Sequence, residues 1–176
     1  MLVFSLEGSM KRFVSVLICI ITLVSCADTH VSFFDYQRAE FDFECTLTYD
    51  GNENKAHIVL SSPDESGTRD TVSVEYLSPS IIGGYILEKS GGSYKGKMGD
   101  IEIPFGAKAA GVVKKIESAF SLSEDMISDI VAADNGLTEA TVISPDLSGK
   151  VITDPDGTPV KIELSFSDGH TLVIDF

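Results

Sequence analysis

The residues of this sequence with the most reactive side chains are three cysteines, Cys19, Cys26 and Cys45. A cysteine thiolate is a nucleophile, and its reactivity depends on where the chain places it. Cys26 directly follows the apolar stretch Phe13 to Val24 and one small residue, Ser25, whereas Cys19 lies inside that stretch. The pattern predicts that Cys26 is the cysteine with a chemical role. If Cys19 is removed with the apolar stretch and Cys26 is modified, Cys45 has no second thiol to pair with. Cys45 is therefore predicted to be a small buried residue.

The apolar stretch itself is typical of an export signal. Lys11 and Arg12 form a positive region directly before it. The stretch suits the apolar core of a signal peptide and is too short to span a bilayer comfortably. We therefore predict a signal peptide over residues 1–25, with Met10 as an alternative start.

The residues at the end of the signal resemble a known processing site. Leu23-Val24-Ser25-Cys26 is similar to the lipobox of bacterial lipoprotein precursors. The resemblance implies cleavage before Cys26 and a diacylglyceryl group on its sulfur. Two or more acyl chains, palmitate for example, hold a protein firmly at a membrane. The expected location is the extracytoplasmic face of the cell membrane, or the outer membrane of a Gram-negative envelope. The alternative is an ordinary secretory signal in which Cys26 is incidental.

Composition excludes several classes of partner. The 176 residues suit one domain plus a targeting segment, and 43% are hydrophobic, enough for a core. The net charge of -14 disfavours nucleic acid, since phosphate binding requires clustered basic residues. The same charge would repel anionic lipid, so membrane attachment should be covalent or apolar.

No residue cluster predicts catalysis or metal binding. His30, His57 and His170 are scattered and show no metal-ligand spacing. Asp154 and Asp156 suit a turn better than a calcium loop, since the remaining ligands are missing. The sequence also contains no GxSxG motif. We expect neither an enzyme nor a metal or cofactor.

Alternation of apolar and polar residues dominates the rest of the chain. It is clearest from Phe41 to Tyr49, and turn residues separate it from further alternating segments. Around Val112 to Phe120 the period becomes helical. Ser121 to Glu124 fits a capping box, which predicts a second short helix to about Ala132. The predicted fold is α+β, mainly β: a curved antiparallel sheet, or incomplete β-barrel, with one or two helices (about 108–132) packed on its concave face.

This layout resembles the LolA/LolB-like superfamily of lipoprotein carriers, and also small uncharacterised lipoproteins of Firmicutes. The matching features are Ser78-Pro79 followed by Gly83-Gly84, the helical insertion from Ala109, and Gly149 to Pro159 before the last hairpin. The resemblance implies an unclosed antiparallel barrel covered by helices, with an apolar hollow that could hold acyl chains.

Two functions follow as expectations, for a monomer with a tether at 26–40 and one domain at 41–176. The first is binding of a lipid or a lipoprotein acyl chain in that hollow. The second is a structural or adaptor lipoprotein with a filled core that binds another envelope protein. For the first, the predicted cavity-lining side chains are Phe43, Leu47, Val74, Ile116 and Phe120.

Overall fold

The computed structural model describes residues 36–176, so the predicted signal peptide, Cys26 and most of the predicted tether lie outside the described residues. The described part is mainly β. Its strands are β1 (Phe41–Tyr49), β2 (Asn52–Leu60), β3 (Thr71–Ser78), β4 (Tyr85–Ser90), β5 (Ser93–Met98), β6 (Ile101–Ile103), β7 (Ile127–Ala132), β8 (Thr138–Ile143), β9 (Leu147–Thr153), β10 (Pro159–Phe166) and β11 (Thr171–Asp175), with one α-helix, α1 (Ala107–Ala119), between β6 and β7.

All eleven strands form one antiparallel sheet in the order β6-β5-β4-β3-β2-β1-β11-β10-β9-β8-β7. Sequential strands are neighbours, as short connections favour, except for β6 and β7, which lie at opposite edges of the sheet. In the centre the first and last strands meet: β1 pairs with β11, and Leu47 lies opposite Ile174. The open antiparallel sheet predicted from the sequence is therefore confirmed, with β6 and β7 as its edges.

One face of the sheet is buried. A continuous row of buried side chains crosses its second half, because residues that pair across antiparallel strands point to the same side. The row consists of Leu47, Ile174, Ile162, Val151 and Ala140. This inner face and the helix form a single core.

One helix cannot cover this face if the sheet is flat. Eleven strands about 4.8 Å apart would be roughly 48 Å wide, whereas a helix of 13 residues is only about 20 Å long. Buried side chains from both halves of the sheet nevertheless belong to the same core as the helix. The helix contacts β3 and β4, and its buried side includes Val112, Val113 and Ile116.

The prediction of a second helix is wrong. The segment after Glu124–Met126, a single turn of 3-10 helix, is strand β7, which pairs with β8. A register shift between Ile127 and Asp129 places an extra residue in the strand. Consequently Ile127 and Ile130, three residues apart, are both half-buried, and the alternation takes on a helix-like spacing.

Buried ionic groups fix the helix and the N-terminal turn. Arg69 is fully buried and donates to four backbone carbonyls, those of Gln37, Ala39, Ser61 and Phe120. Lys89 on β4 forms an ion pair with Glu117 on α1. The turn Tyr36–Arg38, within the segment that we predicted to be tether, has Tyr36 and Gln37 buried against this core.

No helix among the described residues is long and apolar enough to cross a membrane.

Candidate functional site

A cleft of about 610 Å³ opens between the first three turns of α1 and the inner face of the sheet. Three tyrosines from three different strands line it: Tyr49 at the end of β1, Tyr76 on β3 and Tyr85 at the start of β4. We call it the tyrosine cleft. Its volume lies within the range of roughly 300–1,000 Å³ typical of small-molecule sites.

Strand register explains why the tyrosines meet. Tyr76 pairs directly with Tyr85, so both rings stand on the inner face. Their planes are nearly parallel, at 10°, with the ring centroids 6.4 Å apart. Gly96 on β5 makes room for Tyr85, because a Cβ at Gly96 would lie 2.7 Å from the tyrosine hydroxyl.

The base of the cleft is apolar. Leu87 on β4 and Val112 on α1 line it, and both are buried. Gly111 also lines the cleft, and an added Cβ would meet only the Tyr49 hydroxyl, at 3.7 Å. The lack of a side chain at Gly111 therefore widens the space between the helix and β1.

Charged groups lie on the side of the cleft formed by the β10–β11 hairpin. Nδ1 of His170 lies 2.6 Å from Oδ2 of Asp50, and the His170 ring stacks on Tyr49 with the centroids 5.4 Å apart. Nζ of Lys115 donates to Oδ2 of Asp168 at 2.7 Å. The lysine ammonium also lies 4.2 Å from the ring centroid of Phe166.

These contacts determine the ionisation of the cleft. The backbone N–H of Thr171 and the neighbouring His170 lower the pKa of Asp50, and the hydrogen bond from Lys115 lowers the pKa of Asp168. Burial raises the pKa of Tyr76. Both carboxylates therefore stay ionised near neutral pH, and the hydroxyl of Tyr76 stays neutral.

The row of paired residues that contains Tyr76 and Tyr85 continues to the edge of the sheet. Tyr85 pairs with Met98 on β5, and Met98 pairs with Ile101 on β6. Exposure rises along the row, to 41% at Met98 and 71% at Ile101. The inner face is thus apolar beyond the area that the helix covers.

The five predicted cavity residues lie elsewhere. Leu47, Val74, Ile116 and Phe120 are fully buried in the core, and Phe43 is half-buried against it. None of the five lines the tyrosine cleft. Phe120 lines a second, more polar cavity of about 480 Å³, near the C-terminal end of the helix. Contact between any of the five and a ligand stays a prediction.

The sequence contained part of the signal for the cleft. Tyr49 and Tyr76 fall in the inward phase of their strands, the same phase as Leu47 and Val74. The phase alone does not tell a residue under the helix from one beside an opening. Gly111, a glycine within an amphipathic helix, was the missed indication of that opening.

Two other kinds of site have little support in residues 36–176. No group of three or more His, Cys, Asp or Glu side chains there could hold a metal ion. Cys45 is a free, buried thiol, and burial raises its pKa to about 12. Its thiol is therefore neutral and shielded, as expected for a small core residue.

Comparisons with known proteins give little direct guidance. No protein-family profile matches the chain, and no curated protein matches it either. Among solved structures, the chain is similar to a LolA superfamily protein from Nitrosomonas europaea, at 12% identity over 82% of this chain and 87% of that chain, with a TM-score of 0.40.

Proposed function

We propose that this chain is a lipoprotein, anchored through Cys26 on the extracytoplasmic side of a membrane, that binds an acyl chain or a similar lipid in the tyrosine cleft. The observation that carries the binding proposal is the cleft itself. It is of ligand size, its base of Leu87 and Val112 is apolar, and Tyr76 and Tyr85 flank it. An apolar ligand gains free energy on burial there, at about 25 cal/mol per Å² of apolar surface removed from water.

The anchor proposal is supported by the sequence pattern ending at Cys26 and by the short distance from there to the folded domain. Tyr36 is already buried in the core, ten residues after Cys26. Ten extended residues span at most about 36 Å. A lipid on Cys26 would therefore keep the domain, and the cleft with it, close to the bilayer.

Replacing Cys26 with alanine tests the anchor. We expect the Cys26→Ala protein to be absent from the membrane fraction and to lack the added mass of the acyl groups. The reason is that lipid on Cys26 is the proposed attachment of this acidic chain to the membrane. Fractionation and intact mass spectrometry give both readouts. Cys45→Ala is the matched control and should remain lipidated and membrane-bound. A Cys26→Ala protein that stays in the membrane fraction would contradict the anchor.

Filling the cleft tests the binding proposal. In Gly111→Leu the new side chain projects from the helix into the cleft beside Tyr49, so we expect lipid binding to be lost. The fold should be retained, since leucine favours a helix over glycine by about 0.5–1 kcal/mol. Lipid that co-purifies with each variant can be counted by native mass spectrometry.

Ala110→Leu is the matched control for Gly111→Leu. Ala110 is the neighbouring helix residue and does not line the cleft. The Ala110→Leu protein should bind as much lipid as the unmodified chain. Equal lipid content in the two leucine variants, both folded, would contradict binding in the cleft.

A second candidate function rests on the edges of the sheet. Within residues 36–176, β6 and β7 each pair on one side only, and they expose Ile101 and Val131 respectively. Such edges can pair with a strand of another protein. An adaptor would then purify with a defined protein partner and without lipid, which separates this candidate from the first.

A further inference from the structure

We propose that the ligand of the tyrosine cleft is an anionic single-chain amphiphile, with a carboxylate or phosphate head group held by Lys108 and Lys114 and an apolar tail against Leu87 and Val112. This inference rests on the proposed function and specifies its ligand. The observation that supports it is a local surplus of positive charge at the cleft, in a chain whose net charge is negative.

The rim of the cleft is basic in a strongly acidic protein. The chain has 13 Lys and Arg against 27 Asp and Glu. The lining of the tyrosine cleft instead contains three lysines, Lys108, Lys114 and Lys115, and two aspartates, Asp50 and Asp168. Because this local surplus of positive charge surrounds an apolar base, it favours a ligand with a negative head and an apolar body.

The two aspartates of the rim already have partners. Asp50 accepts from the Thr171 backbone N–H at 3.0 Å and lies beside His170. Asp168 accepts from Lys115. Within residues 36–176, neither Lys108 nor Lys114 forms an ion pair with a carboxylate. Two lysine charges are therefore available to a ligand.

The position of these lysines sets the orientation of the ligand. Lys108 lies in the first turn of α1 and is exposed, and Lys114 is exposed with its ammonium 5.7 Å from the Tyr94 ring centroid. The buried part of the cleft, at Leu87 and Val112, is apolar. A head group at the lysines thus leaves the tail to run over the tyrosines, with Met98 and Ile101 continuing the apolar surface towards the sheet edge.

The test compares probes that share one chain and differ in the head group. The probes are dodecanoate, dodecyl phosphate, uncharged dodecanol and cationic dodecyltrimethylammonium. The charged probes are kept below their micelle concentrations, and dodecanol is kept below its solubility limit. Tyrosine fluorescence reports binding, since the chain has no Trp and three of its five Tyr line the cleft. At low salt we expect an anionic probe to bind on the order of tenfold more tightly than dodecanol, as two exposed ion pairs allow. The preference should shrink as salt is added.

Variants assign the preference to residues. Lys108→Gln combined with Lys114→Gln should remove the preference for anionic probes, measured as the ratio of the dissociation constants of dodecanol and the anionic probe for the same protein. Lys55→Gln is the matched control: Lys55 is exposed, forms no ion pair within residues 36–176 and lies outside the cleft lining. It should keep the preference. The ratio between dodecanoate and dodecyl phosphate then distinguishes a free fatty acid from a phosphate-bearing lipid as the source of the head group.

The outcomes separate this inference from the proposed function. Equal binding of dodecanol and the anionic probes, or tighter binding of the cationic probe, would overturn the anionic ligand and leave the apolar cleft in place. A preference that survives in the double glutamine variant would also overturn it. If no probe binds, the proposed lipid-binding function fails, and this inference fails with it.

Discussion

Replacing Arg69 with alanine should lower the free energy of unfolding by about 3–5 kcal/mol. The guanidinium is fully buried and donates to the carbonyls of Gln37, Ala39, Ser61 and Phe120. Each buried carbonyl that loses its donor costs about 1–3 kcal/mol. Removing the charge recovers part of the desolvation cost of burying it, several kcal/mol for an ion in a protein interior. The loss outweighs that gain because the hydrogen bonds to Gln37 and Phe120 are buried, and those to Ala39 and Ser61 are partly buried.

Urea denaturation measures this effect, and Arg38→Ala is the control. Arg38 is exposed at the end of the N-terminal turn, so its loss should change the unfolding free energy by less than about 0.5 kcal/mol. Equal unfolding midpoints for the two alanine variants would show that Arg69 does not hold the N-terminal turn to the end of the helix.

Gly149→Ala is the second substitution for which we expect a large loss, of about 3 kcal/mol or more. Gly149 on β9 has φ +153° and pairs with Leu164 on β10. An added Cβ would lie 2.0 Å from the carbonyl oxygen of Glu163 and 2.9 Å from Cα of Leu164. Both obstacles are backbone atoms of a central strand, so neither can move without breaking the sheet.

Gly111→Ala provides the comparison for Gly149→Ala. Gly111 is helical, and its added Cβ would make only an ordinary contact with the Tyr49 hydroxyl. This change should raise the free energy of unfolding by about 0.5–1 kcal/mol, the difference in helix propensity. Thermal unfolding followed by circular dichroism measures both variants. A Gly149→Ala protein as stable as the unmodified chain would contradict the backbone clash.

The sequence predicted the strands well because their signals are local. Strand β1 begins and ends at the predicted residues, Phe41 to Tyr49. Alternation marks a half-buried strand, and the glycine pairs between strands mark the turns. Alternation also placed Leu47 and Val74 on the buried face of their strands, as the structure has them.

The sequence did not predict features that depend on distant parts of the chain. The pairing of β1 with β11 follows from the whole sheet, because alternation tells which face is buried and not which strand lies alongside. The cleft was missed for a similar reason. Leu47 and Tyr49 have the same phase, and only the docking position of α1 places one in the core and the other beside an opening.

The pairing of β1 with β11 has a consequence for the order in which parts of the sheet can fold. Thr46 pairs with Asp175, so the middle of the sheet joins strands made at very different times during synthesis. Such non-local pairing slows folding, since the intervening chain must be closed into a loop first. A chain still being synthesised lacks β11 and leaves one side of β1 without its partner. The finished sheet can therefore form only after β11 has been synthesised, so the β1–β11 pairing is among the last contacts that the growing chain can make.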